Sequence, residues 1–222
     1  MNTSYPLTGR NQIRQARQRG NYEHLAILDV LRESPLCHVG FALDGQPFVL
    51  PMVFGVLGQQ LYLHGGLHSR LMQVLAKGVE VCVSATLLDG FVMARSAFHH
   101  SMNYRSVVLF GSAQLVTEET EKQQALVAIT DHGFPGRSKE TRAADSSELK
   151  ATQVVRFTIS EASLKQRQGG PADNPQDLQS NCWAGVIPLT LQAGQPIAAN
   201  DLEERIPLSQ SIAEKLKIAQ NW

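Results

Sequence analysis

The sequence predicts a mainly β fold: an antiparallel barrel with flanking helices. Apolar and polar residues alternate with period two, as in Cys37, Val39, Phe41 and Leu43 against His38, Gly40 and Ala42. Turn dipeptides recur at short intervals, among them Asp44-Gly45 and Asp89-Gly90. Roughly six or seven strand patterns face only two or three helical ones, which favours hairpins over βαβ units. There is no glycine-rich dinucleotide fingerprint and no P-loop.

Residues 1–21 are a polar arm with Arg10, Arg14, Arg17 and Arg19, expected to be solvated or to pack on a partner subunit. Tyr22 to Glu33 has the apolar spacing of an amphipathic helix and stops before Ser34-Pro35. A strand from Cys37 turns at Asp44-Gly45 and returns over about Pro47 to Phe54, where Pro51 argues for an edge or an irregular ladder. Gly55 to Gln59 reads as a turn. Gln60 to His64 is a short strand ending at Gly65-Gly66, and a helical run carries Leu71, Met72 and Leu75 as far as Gly78.

Val79 to Thr86 alternates as a strand, Asp89-Gly90 reads as a turn, and Phe91 to Phe98 reads as the next strand. Ser101-Met102-Asn103 reads as a polar interruption before a long strand, Tyr104 to Val116, bent at Gly111. Glu118 to His132 is a helix, Pro135 to Lys150 a loop with a short helix, and Thr152 to Ser160 a strand. Lys165 to Asn181 is loop-like, Trp183 to Leu189 is a last apolar run, and Leu208 to Gln220 is a modest helix.

Composition excludes several classes. The 222 residues are 43% hydrophobic, enough for a full core. Twenty basic and twenty acidic side chains cancel, which argues against nucleic-acid binding through bulk charge. No apolar run reaches membrane-span length. Cys37, Cys82 and Cys182 are far apart and form neither a disulfide framework nor a zinc pattern. The chain reads as cytoplasmic.

The stretch Gln60 to Lys77 is the chemical centre of this reading. Ser69 is a natural N-cap, and the start of the following helix offers free N–H groups. Arg70 adds a charged fork that matches phosphate oxygens. The turn suits the phosphate tail of a flavin mononucleotide, and it is equally an ordinary capped connection. His64 and His68 are four apart, but Gly65-Gly66 lies between them, so no metal site is expected. His64 is open to three roles: a ring-side proton donor, a haem axial ligand, or a satisfied strand-end residue.

Six motifs in order add a resemblance. They are Pro51-Met52-Val53-Phe54, Tyr62-Leu63-His64-Gly65, Ser69-Arg70, Asn103-Tyr104-Arg105-Ser106-Val107 with Gly111, Ser163-Leu164-Lys165-Gln166-Arg167 with Gly169-Gly170-Pro171, and Trp183-Ala184-Gly185-Val186-Ile187-Pro188-Leu189. Over roughly residues 20 to 200 the chain resembles the split-barrel family of pyridoxamine 5′-phosphate oxidase, in the branch with nitroimidazole reductases. The resemblance implies a six-stranded Greek-key split barrel that forms a homodimer with FMN in a groove between subunits. It divides the chain into the arm 1–21, a flavin domain 22–200 and a tail helix 201–222.

Carried over by residue, the resemblance implies that Met52, Val53 and Phe54 line the flavin ring with His64 and Gly65 beside it. Ser69, Arg70 and Leu71 would hold the phosphate. Asn103, Tyr104, Arg105 and Ser106 would contact phosphate or ribityl oxygens, and Lys165, Arg167 and Trp183 would close the site. The implied activity is oxidoreduction between a donor such as NAD(P)H and a small acceptor. A non-catalytic flavin-binding dimer and a haem-binding split barrel are the alternatives. The chain lacks the family's Arg-Trp-Asp-Arg type ending and finishes Leu-Lys-Ile-Ala-Gln-Asn-Trp, which argues against vitamin oxidation.

Overall fold

A computed structural model describes residues 3–203 and 205–220. Asn221 and Trp222, the end of the tail read from the sequence, lie outside the described residues. The strands are β1 (Gly20–Asn21), β2 (Cys37–Leu43), β3 (Gln46–Met52), β4 (Gly55–Leu57), β5 (Gln60–Gly66), β6 (Glu80–Met93), β7 (Ser101–Leu115), β8 (Thr152–Arg167) and β9 (Gly185–Pro188). The helices are α1 (His24–Glu33), α2 (Arg70–Leu75), α3 (Glu119–Gly133), α4 (Ser146–Ala151) and α5 (Gln210–Gln220).

All nine strands belong to one antiparallel sheet, ordered β3-β2-β6-β7-β8-β5-β4, with β1 on β8 and β9 on β6. The path has two free ends and does not close, as a split barrel requires. Nine strands rather than six arise because β1, β4 and β9 are short pieces of two to four residues added to six longer ones. The inward residues follow the pleat. Val39, Val83, Leu109 and Ala162 are buried in one core with Ile27 and Leu31 of α1 and Met72 and Leu75 of α2. Leu25, which the apolar spacing of Tyr22 to Glu33 would place on the inner stripe of α1, faces solvent.

Several strand boundaries differ from expectation: β4 lies within the Gly55 to Gln59 segment read as a turn, β6 ends at Met93 rather than near Phe98, and β8 runs past Ser160 to Arg167. Asp89-Gly90 is no turn: β6 runs through it with a register shift between Leu88 and Gly90. Gly90 is required there, because a Cβ would come within 2.9 Å of the Ile187 carbonyl oxygen on β9. Ser101–Asn103 is no interruption, for these residues pair with Val92, Phe91 and Gly90. The bend at Gly111 is present as a register shift against β8.

The N-terminal arm packs on its own barrel rather than trailing in solvent. The Asn11 amide is buried and donates to the carbonyls of Pro6 (2.7 Å) and Ala162 (3.1 Å). Thr8 and Arg10 both bond the Glu161 carboxylate. No helix is long and apolar enough to cross a membrane among the described residues.

Candidate functional site

Strand β5 has two working faces. Leu61 and Leu63 point into the core, and so does Gly65, where a Cβ would lie 2.7 Å from Met72 Cγ of α2. Tyr62 and His64 face the other way, toward α3: the Tyr62 hydroxyl reaches Glu121 at 2.9 Å. The expectation that His64 and Gly65 flank one ring therefore divides across the strand.

On the core side the turn forms as expected. Ser69 caps α2, its Oγ accepting from the Met72 N–H at 3.5 Å. Helix α2 has only six residues, so its dipole is weak and the charge of Arg70 matters more. Arg70 is exposed and forms no ion pair among the described residues. Its guanidinium carbon lies 4.4 Å from the centroid of the Phe48 ring on β3. Such stacking contributes about 0.5–1 kcal/mol at an exposed site and orients the group.

Met52 is half-buried and Val53 is 52% exposed, so both are accessible. Phe54 is not. It is fully buried with its ring 4.2 Å from His132, which corrects its expected place along a cofactor ring within one subunit. The Leu71 side chain is buried in the core as well, leaving only its backbone for a ligand.

A second group lies at the other end of the sheet. Tyr104 pairs with Arg167 and Ser106 with Lys165 across β7 and β8. Asn103 is buried and its Oδ1 accepts from Arg167, which also donates to the carbonyls of Gly169 (3.0 Å) and Gly170 (2.7 Å). Arg167 thus holds its own glycine turn. Arg105 is bound by Asp89 (2.9 Å) and Glu33 (2.6 Å), carboxylates that raise its pKa further. A phosphate would have to displace them. Ser106 Oγ lies 2.8 Å from Thr86 Oγ1, and Trp183 is 65% exposed with its ring against Gly185. Lys165 forms no ion pair among the described residues.

His64 pairs with Val154 near the start of β8, and Lys165 lies eleven residues further along that strand. At ~3.3 Å per residue the separation along the strand is roughly 36 Å.

The α3 face of β5 opens onto a cleft of about 560 Å³, walled by α3, α4 and the segment between them. His64 lines it. Its Nδ1 is buried without a hydrogen-bond partner, and burial lowers its pKa. An unmet buried polar atom costs on the order of 1–3 kcal/mol. Leu126, Ile129 and Leu149 supply the apolar wall. Arg142 at the rim is neutralised by Glu148 at 2.6 Å and Asp145 at 3.7 Å. The Asp145–Glu148 capping box that builds α4 was a legible signal for this wall, yet the reading from sequence assigned it no role.

A wider depression of about 710 Å³ lies between Arg32, β4 and α3. Its titratable groups are already engaged: His132 with the Ser34 carbonyl, Arg32 with Asp29, and Asp131 with Ser138. No group of three or more His, Cys, Asp or Glu side chains able to hold a metal ion occurs among the described residues.

An open antiparallel sheet sharing its core with α1 and α2, with a capped Ser-Arg turn after β5, defines a split-barrel protein. The family model described as pyridoxamine 5′-phosphate oxidase matches residues 23–166, and the chain belongs to that family. No curated protein matches the chain. Among solved structures it is similar to the flavocytochrome Anf3 from Azotobacter vinelandii, with 34% identity over 93% of this chain and 96% of that one, at a TM-score of 0.86. It is similar to the FAD and haem binding protein from Mycobacterium smegmatis, with 38% identity over 89% and 97%, at 0.85. A structure from Bacteroides thetaiotaomicron named for 5-nitroimidazole antibiotic resistance shares the fold, at 24% identity over 66% and 85% and a TM-score of 0.56.

Proposed function

We propose that the chain is a flavin-binding redox protein that works as a homodimer and also carries haem. The observation that carries the flavin half is Arg70: an exposed cation, unpaired among the described residues, beside the Ser69 cap and held over Phe48. The likeness to a flavocytochrome and to an FAD and haem binding protein, along nearly the whole chain, supports both halves. FMN is the flavin that the family resemblance implies, and the mycobacterial relative brings FAD into the same reading.

The proposed roles follow the accessible groups. Arg70 and the Ser69 turn bind the phosphate end. Met52 and Val53 pack against the ring and exclude water from one side. Lys165, Tyr104, Ser106 and Trp183 reach the ligand from the partner subunit. Arg105, Asn103 and Arg167 position this end of the sheet through Asp89, Glu33 and the glycine turn. A bound flavin supplies hydride and single-electron chemistry between a donor such as NAD(P)H and a small acceptor. The thiols Cys37, Cys82 and Cys182 are free, which fits a cytosolic protein.

The test is the purified protein itself. A flavin absorption band, and a released nucleotide identified by mass as FMN or FAD, support the reading. Anaerobic bleaching by NADH or NADPH supports an oxidoreductase. A colourless protein that takes up neither nucleotide refutes it.

A further inference from the structure

We infer that the cleft between β5, α3 and α4 is the haem site, and that the His64 imidazole is the single protein ligand to the iron. This rests on the haem half of the proposed function and adds its location.

A porphyrin fills four positions on its iron, so the protein need supply only one base. The cleft offers that base and little else of its kind. The described residues contain no cluster of three metal-binding side chains, so a bare ion is not what His64 awaits. Burial lowers the imidazole pKa, toward the neutral form that binds metal. Its Nδ1 is buried and has no hydrogen-bond partner among the described residues.

The walls suit a flat apolar macrocycle. Leu126, Ile129 and Leu149 offer it apolar surface beside the polar Gln123, Thr130 and Thr141, and the mouth is open to water, where carboxylate tails stay hydrated. The volume, about 560 Å³, falls among pockets that hold cofactor-sized molecules, roughly 300–1,000 Å³. A flavin phosphate is served poorly here, since Arg142 is already neutralised by two carboxylates. The strand then separates two cofactors: His64 on one face, Gly65 and the Ser69-Arg70 turn on the other.

Full-length protein titrated with haemin, read by Soret absorption, tests the assignment. The wild type is expected to give one sharp band at one equivalent. His64→Ala is expected to bind haemin roughly tenfold or more weakly, as for loss of a metal ligand. Added imidazole should restore the band by entering the vacated space. Ala143→Trp, which narrows the cleft and keeps His64, should also weaken binding. His100→Ala should change nothing, because His100 bonds the Ser96 carbonyl on a distant turn. A His64→Ala protein with an unchanged Soret band and affinity overturns the site while leaving the haem reading intact. A wild type with no band overturns both.

Discussion

The Arg70 guanidinium lies 4.4 Å from the centre of the Phe48 ring, so an edge strand and the first turn of α2 meet through one cation. Removing that cation takes away the charged contact assigned to the flavin phosphate. Arg70→Ala is expected to weaken flavin binding by about 1.5–3 kcal/mol, the scale of a charged hydrogen bond. Fluorescence titration of the apoprotein measures it. Full occupancy after purification of the variant would rule out Arg70 as the anchor.

Assembly gives a second expectation. The proposed flavin site draws Lys165, Tyr104, Ser106 and Trp183 from a partner, so it needs a second subunit. Sedimentation should show a dimer that keeps its flavin on dilution and loses it as the dimer dissociates. A flavin-loaded monomer is the contrary result.

Gly111 offers a test of the fold. A Cβ there would sit 1.9 Å from the Thr158 carbonyl oxygen across the β7–β8 bulge, and backbone cannot yield as a side chain can. Gly111→Ala should cost roughly 1–3 kcal/mol, the range for overpacking. Gly133→Ala, with nothing within 4 Å, is the control in the same urea titration.

The C-terminal helix is tied down by one carboxylate. Ser211 donates to Glu140 through its hydroxyl and its backbone N–H, which holds the Glu140 pKa down to about 2. A depressed folded-state pKa stabilises above the unfolded value near 4.5 and loses that stabilisation as pH falls toward 2. Acid in that window should release α5, and Glu140→Gln should release it at neutral pH. Limited proteolysis between residues 189 and 209 reports the release. Equal cleavage rates for variant and wild type would count against the tether.

Much of this was legible because strand alternation is a local property. The pleat of β2, β6 and β7 can be read straight from their residues. Asp89-Gly90 misleads for a physical reason: its turn chemistry is local, but pairing to β7 and β9 keeps the strand running. Ser101–Asn103 misleads likewise, because Arg167, more than sixty residues later, satisfies the Asn103 amide oxygen. The division of His64 from Gly65 follows from period two alone, and grouping them as one motif hid it. The capping box of α4 is a local signal, but nothing local shows that α3 and α4 come together over β5.

Strand β8 joins β1, β5 and β7 through residues 152–167. During synthesis, the inner edge of β5 and the pair Gly20–Asn21 must wait for a segment made some ninety or more residues later. The ribosome therefore releases three-quarters of this polypeptide before its barrel can zip shut. Until then an uncapped strand edge is a target for chaperones or for its neighbours on the polysome.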